Sequence, residues 1–137
     1  MNDHFKLSDH EFEKVFADCS LPVHLFNHEA HLRLAWIKIK KLGSHTAEQE
    51  IQKQLKNYVD HYGASEKYHV TLTVAAVKIV DHFIRKSEAS CFKSLLQEFP
   101  RLKHNFRDLI EAHYGDTVYE SDDARLNYMA PPILPFT

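Results

Sequence analysis

The sequence predicts an all-α protein, built as a single-domain antiparallel bundle of about five or six helices. Three observations lead to this fold class. Three glycines occur in 137 residues, far fewer than the turns of a small β fold require. Apolar residues recur at intervals of three and four along most of the chain, as they do on the buried faces of helices. The length suits one domain, so we expect residues 1–137 to form a single helical domain.

The first two helices are predicted from their end signals. Ser8 and Glu11 have the spacing of a capping box, in which the serine side chain and the glutamate side chain each satisfy a backbone N–H. Asn27 is a favourable N-cap for the second helix. Gly43 follows the last apolar residue of that helix and is expected to end it.

The third and fourth helices are predicted in the same way. Thr46 and Gln49 have capping-box spacing and predict the start of the third helix, and Gly63 predicts its end. Ser65 is the expected cap of the fourth helix, which has the longest apolar face in the chain. Residues 69–74 include several β-branched side chains, but the 3.6-residue period continues through them and favours a helix over a strand.

The last third of the chain is expected to hold shorter elements. Ser87 or Ser90 starts a fifth helix that Pro100 ends, and a sixth helix follows. Residues 121–125 suit one further helical turn with a serine cap. Residues 126–137 contain three prolines and predict an extended tail, and their apolar residues suggest that the tail packs on the bundle.

Charge and composition argue against several classes of protein. The formal charge is -2 with histidine neutral, so no basic excess is present to bind the phosphates of a nucleic acid. The first residues are polar rather than basic, and no apolar run approaches the roughly 18 residues of a membrane span. Cys19 and Cys91 fit no metal or redox spacing and are typical of free thiols in a reducing compartment. We therefore expect a cytoplasmic protein with neither a nucleic-acid nor a membrane partner.

The unusual feature of the composition is its 11 histidines. His28 and His31 lie three residues apart at the start of the second helix and should share one face, which continues inward to Trp36. The helix dipole there disfavours protonated rings, and neutral imidazoles are metal ligands. Three interpretations stay open: hydrogen-bonded core histidines, metal ligands, or a metal-free catalytic or ligand-binding role.

A second group lies at the start of the fourth helix. His69 is expected in its first turn, with Thr73 one turn later, where it can bond its own helix or orient His69. The second and fourth helices of an up-down bundle run parallel, so His28, His31 and His69 are expected to converge at one end. Three imidazoles and a water form a zinc site, whereas an added carboxylate suits iron or manganese. The predicted cofactor is one divalent metal (Zn, Fe or Mn).

A third group comprises residues 113–114 and 121–125. Its simplest interpretation is a helix end followed by a capped turn. In a functional interpretation Tyr114 or Arg125 closes a pocket, and we predict Trp36, Thr73, Tyr114 and Arg125 as ligand-binding residues. The other histidines show no convergent pattern and are expected at the surface or at helix ends, namely His4, His10, His45, His61, His82 and His104.

These motifs resemble those of a family of small bacterial all-helical proteins whose activity is uncharacterised. The resemblance consists of aromatic-x-His-x-x-His-Leu running into Ala-Trp, then Tyr-His-x-Thr-x-Thr, then His-Tyr with Ser-x-x-Ala-Arg and a proline-rich end. Here they occupy residues 26–36, 68–73, 113–114, 121–125 and 131–135. The resemblance implies that His28, His31 and His69 belong together. The family often has an acid after the Tyr-His pair, where this chain has Val70.

The sequence therefore predicts a helical protein with a histidine-lined pocket that binds one divalent metal. If it is an enzyme, the three histidines bind the metal or transfer protons. The alternative is a metal-free module that binds a small molecule or a protein, with structural core histidines. A third prediction is a homodimer that associates through the fourth helix or the tail.

Overall fold

The fold is known from a computed structural model, which describes residues 3–136. Every regular element in that range is a helix, so the all-α class is confirmed. The chain divides into two compact units, with the boundary between Tyr68 and His69.

The first unit contains three α-helices and three short 3-10 turns. The helices are α1 (Asp9–Ala17), α2 (His28–Leu42) and α3 (Ser44–His61). The 3-10 turns cover His4–Lys6, Val23–Leu25 and Ser65–Lys67. Helix α3 packs against both α1 and α2. The core of the unit is built from side chains such as Phe12, Phe16, Leu32 and Tyr58, all of which are buried.

The predicted caps of α1 and α2 are confirmed. The Ser8 side chain accepts from the Glu11 N–H at 3.1 Å, and the Glu11 carboxylate accepts from the Ser8 N–H at 2.9 Å. Asn27 accepts from the Ala30 N–H at 2.9 Å. Gly43 ends α2 with a φ of 83°, a conformation that glycine adopts without strain.

The predicted starts of the third and fourth helices are wrong. Helix α3 begins at Ser44 rather than near Thr46, because the positive φ of Gly43 lets the chain turn directly from α2 into α3. Ser65 does not cap the fourth helix, because it opens the 3-10 turn Ser65–Lys67. The predicted stop at Gly63 is confirmed: the N–H groups of Gly63 and Ala64 bond back to the carbonyls of Asp60 and Val59 in a Schellman arrangement.

The second unit contains five α-helices and one 3-10 turn. They are α4 (Val70–Arg85), α5 (Phe92–Glu98), α6 (Arg101–His104), α7 (Phe106–Tyr114) and α8 (Asp122–Leu126), with the 3-10 turn at Thr117–Glu120. Helix α4 packs against α7 and α8. Buried side chains such as Val80, Phe83, Leu95 and Leu102 form the core of this unit.

The helix starts predicted for the middle of this unit also need correction. Helix α5 begins at Phe92 with Cys91 as its N-cap, so neither Ser87 nor Ser90 caps it. The Ser87 hydroxyl instead accepts from the Ala89 N–H, in the turn before the helix. The predicted sixth helix is divided into α6 and α7 at Asn105, whose φ of -132° is not helical. The predicted turn at residues 121–125 is confirmed as α8, capped by Ser121 at 3.1 Å from the Ala124 N–H.

The segment after α8 is held by hydrogen bonds to α4 and α7. The Thr71 hydroxyl donates to the Asn127 carbonyl at 2.9 Å and accepts from the Met129 N–H at 3.0 Å. The His113 ring bonds to the Leu134 carbonyl at 2.7 Å, and the His113 carbonyl accepts from the Ile133 N–H at 3.1 Å. The segment is therefore attached at both its beginning and its end.

Within residues 3–136, no helix is long and apolar enough to cross a membrane.

Candidate functional site

The predicted site residues are divided between the two units. His28, His31 and Trp36 lie on α2 in the first unit. Thr73, Tyr114 and Arg125 lie on α4, α7 and α8 in the second unit, and His69 is the residue that precedes α4.

His28 and His31 lie at the surface, at the start of α2. The prediction that they occupy a core-facing stripe is wrong, because both residues are exposed, whereas α2 is buried from Leu32 to Ile39. One face of the His31 ring stacks on Phe26, with centroids 3.9 Å apart and planes 20° apart. Desolvation and the neighbouring His28 lower the pKa of His31. The exposure of the His31 side chain limits how far desolvation can lower that pKa.

Trp36 belongs to the core of the first unit. Its side chain is buried, as the sequence predicts, and the Lys40 ammonium group lies 5.2 Å from the centre of its ring. A cation over the face of an indole is an attractive arrangement.

His69 is the N-cap of α4, not a member of its first turn. Its Nδ1 atom accepts from the Leu72 N–H at 3.1 Å, and its Nε2 atom lies 3.0 Å from the Val118 carbonyl oxygen. A carbonyl can only accept, so Nε2 carries the proton and the ring is neutral. Burial is the main cause that lowers the pKa of His69, and the charge of Arg125 also lowers it.

Thr73 bonds its own helix, which is one of the two roles the sequence allows. Its hydroxyl donates to the backbone carbonyl of His69 at 2.7 Å. Arg125 is half-buried and lies 3.8 Å from the Asp122 carboxylate. Thr73 is therefore bonded to His69, and Arg125 lies on α8, which packs against α4.

Tyr114 is buried at the end of α7. Its hydroxyl donates to the Met129 carbonyl at 2.8 Å. Burial is the first cause that raises the pKa of Tyr114, and the Tyr128 hydroxyl adds to it. Together with Thr71, this residue fixes the backbone around Met129. The third sequence group therefore holds the C-terminal segment through Tyr114, whereas His69 and Thr73 of the second group bond elsewhere in the second unit.

Metal binding by His69 conflicts with this geometry. Its Nδ1 lone pair is already an acceptor, and its Nε2 proton is already donated. A metal ion needs a free lone pair on neutral imidazole, so His69 would have to give up its cap or its bond to Val118. Among the described residues, 3–136, no group of three or more His, Cys, Asp or Glu side chains is arranged to hold a metal ion.

Large apolar side chains are exposed on the C-terminal segment. Leu126, Tyr128, Ile133 and Leu134 have exposed fractions of 60%, 43%, 63% and 49%. We call these four residues the C-terminal strip. Three of them contact residues 113–115, at the end of α7. The Tyr128 hydroxyl interacts with that of Tyr114, and Ile133 lies against Gly115. The Leu134 carbonyl bonds to His113.

A buried polar network in the first unit is not predicted from the sequence. His4, which was expected at the surface or at a helix end, has an exposed fraction of 0%. Its Nε2 atom lies 2.8 Å from the Glu29 carboxylate, and its Nδ1 atom lies 3.3 Å from the Arg33 guanidinium. Arg33 also bonds Asp9 through two nitrogens, at 2.9 and 3.1 Å. The sequence signal that was available for this network is the spacing of Glu29 and Arg33. They lie four residues apart on one helix and therefore share a face.

No protein family, curated protein or solved structure matches the chain.

Proposed function

We propose that this chain is a metal-free protein-binding module and that the C-terminal strip is its contact surface. The observation that carries the proposal is the exposure of Leu126, Tyr128, Ile133 and Leu134 within nine residues of sequence. Scattered exposed apolar residues are ordinary in soluble proteins, but adjoining ones mark interaction sites. The sequence allows this alternative to metal binding, in which the histidines have structural roles.

The fixed backbone beneath the strip supports the proposal. Thr71, Tyr114 and His113 bond the main chain at residues 127, 129, 133 and 134. These bonds hold the segment in one conformation while its apolar side chains stay exposed. A surface that is already ordered loses less conformational entropy on binding, which favours recognition.

Charge indicates the chemistry of the partner. Asp122 and Asp123 are exposed at the start of α8, three or four residues before Leu126, and Asp116 is exposed beside Gly115. The partner best suited to this face has an apolar surface with a basic rim. A second copy of the chain would bring these acids toward one another, so the proposal favours a different protein over a homodimer.

The experiment places a photo-crosslinking residue at Tyr128 in one variant and at Val23 in a matched control. Val23 is equally apolar and has an exposed fraction of 56% in the first unit. We expect a discrete protein adduct from position 128 that disappears when Leu126 and Leu134 are changed to Ser. Adducts of equal yield from both positions would refute the proposal. An adduct of twice the 16.0 kDa chain mass would identify a homodimer instead.

The second candidate function is the binding of one divalent metal (Zn, Fe or Mn) by His28, His31 and His69. The observation that favours it is that His28 and His31 are both exposed, three residues apart, at the start of α2. His69 would join only by releasing one of its two backbone partners. A Zn²⁺ titration of the purified protein tests this function. Metal binding requires that the parent protein binds one equivalent of Zn²⁺ and that the His31→Ala variant does not. The surface control His10→Ala should still bind one equivalent.

The remaining sequence predictions are part of the proposal. They are one antiparallel bundle for the whole chain, an extended proline-rich tail over residues 126–137, a cytoplasmic location and membership of the bacterial helical family. A small-molecule ligand at Trp36, Thr73, Tyr114 and Arg125 also stays a prediction. The intramolecular bonds of Thr73 and Tyr114 favour the protein-binding interpretation over it.

A further inference from the structure

A buried polar network joins the N-terminal 3-10 turn to α2 in the first unit. The Arg33 guanidinium donates to the carbonyls of His4 and Leu7, the latter at 2.8 Å. It also donates to the Asp9 carboxylate, and His4 bonds Glu29. The turn His4–Lys6 therefore lies against α2 through hydrogen bonds made by one imidazole and one guanidinium.

The contact between His4 Nδ1 and the Arg33 guanidinium requires His4 to be neutral, with its proton on Nε2. The Glu29 carboxylate at 2.8 Å can only accept, so Nε2 must donate. Arg33 has no acceptor atoms, so the Nδ1 atom 3.3 Å away must offer its lone pair. A second proton would have to be added at Nδ1, where it would point at a guanidinium N–H. Two donors would then face each other in a buried site.

The other groups around His4 do not remove this conflict. Asp3 and Glu29 favour a charged ring, and Arg33 disfavours it. Asp9 is already bonded twice by Arg33, and the rings of Phe5 and Phe12 cover the remaining sides with centroids at 4.2 and 5.9 Å. Burial has the largest effect on the pKa of His4, and it lowers that pKa below the ordinary value of 6.5.

We propose that His4 is a pH-sensitive latch: a proton added at Nδ1 removes the acceptor for Arg33 and releases the turn His4–Lys6 from α2. The proton comes from solvent and forms one N–H bond, and the hydrogen bonds from Arg33 to the His4 and Leu7 carbonyls break as the turn moves away. The released turn uncovers the Arg33 guanidinium and the Phe12 ring, which lies 4.9 Å from it. The first unit then has one closed and one open form.

The direction of the pH dependence follows from the lowered pKa. The closed form is favoured fully above pH 6.5, the value for a free ring, and loses stability as the pH falls from there toward the lowered pKa. Acids with ordinary pKa values near about 4.3 stay charged across the upper part of this window. An opening seen between about pH 6.5 and about pH 5.5 therefore belongs to a histidine.

Amide hydrogen exchange tests the latch in the full chain. The N–H groups of Lys6 and Leu7 bond to the carbonyls of Asp3 and His4 and are protected only in the closed form. We expect their protection factors to fall by up to about tenfold per pH unit below pH 6.5, the limit for linkage to one proton. In His4→Gln the amide group can donate to Glu29 and accept from Arg33 but does not titrate, so protection should not change with pH.

The control is His10→Gln, at an exposed position on α1 in the same unit. It should keep the pH dependence of the parent, and a loss there equal to that in His4→Gln would overturn the proposal. Nitrogen-15 shifts of the His4 ring give a second measurement that needs no variant. The latch requires a proton on Nε2 at about pH 7.5 and a transition below pH 6.5. A ring that is charged at pH 7.5 excludes it.

Discussion

The Nε2 atom of His69 lies 3.0 Å from the carbonyl oxygen of Val118, a residue 49 positions away in the sequence. This bond joins the start of α4 to the 3-10 turn that precedes α8. The other ring nitrogen caps α4 through the Leu72 N–H. The histidine that the sequence places in a metal site thus connects two parts of the second unit.

Removing the His69 ring should destabilise the second unit. His69→Ala loses the N-cap and leaves the buried Val118 without this donor, so we expect the free energy of unfolding to fall by about 1–3 kcal/mol. His69→Asn should recover about half of that loss, because asparagine caps helices well but cannot reach Val118. Urea unfolding followed by far-UV circular dichroism measures both. Equal stability of the Ala variant and the parent would contradict the double role of His69.

The hydroxyl group of the buried Thr71 should contribute more to the stability of the protein than its methyl group does. Thr71→Val keeps the shape of the side chain but leaves the Met129 N–H and the Asn127 carbonyl without their partner, which should cost about 1–3 kcal/mol. Thr71→Ser keeps both hydrogen bonds and removes one methyl group, so its loss should be smaller. The same urea experiment ranks the two variants. The reverse order would mean that packing, not hydrogen bonding, holds the segment.

Replacing Gly115 by a larger residue should destabilise the second unit. Its φ is 75°, and an added Cβ would lie 3.3 Å from the Ile133 Cδ1 atom. Gly115→Ala therefore combines backbone strain with a close contact, and we expect a loss of about 1 kcal/mol or more. Gly63→Ala is the matched control, because its φ is 70° but an added Cβ would meet no atom within 4 Å. If both variants lose the same stability, the contact with Ile133 contributes nothing.

Mild acid should lower the thermal stability of the protein. The pKa values of His4, His69 and His82 are all lowered, with burial as the largest cause. The unfolded chain therefore takes up protons near pH 6.5 before the folded chain does, and stability falls as the pH decreases from there. Melting curves at about pH 7.5 and about pH 5.5 should show a lower Tm in acid. A Tm that is constant over this range would show that these rings are accessible to protons when the protein is folded.

The sequence predicts the fold class and several helix ends because those depend on local chemistry. Ser8, Asn27 and Ser121 satisfy backbone groups within three residues, so short spacing is enough to identify them. Gly63 is recognisable for the same reason. The start of α4 was missed because its cap is a histidine, which is not among the favoured N-cap residues.

The candidate site was harder to predict because its contacts are distant in sequence. His4 meets Arg33 across 29 positions, and Thr71 meets Met129 across 58. Spacing on one helix cannot reveal such pairs. The helical face of His28 and His31 was identified, but its exposure depends on which part of α2 other elements cover. The periodicity of a sequence predicts which residues share a face of a helix. It does not predict which part of that face the neighbouring elements cover.

The enclosed guanidinium of Arg33 has a practical consequence for shortening the protein. A form that begins after Asp9 would lack the Asp9 carboxylate and the carbonyls of His4 and Leu7, which together neutralise and solvate that cation. The same cut would uncover the Phe12 ring, which the guanidinium faces, so a buried apolar side chain would be exposed to water. Expression trials that shorten the protein should therefore keep residues 4–9.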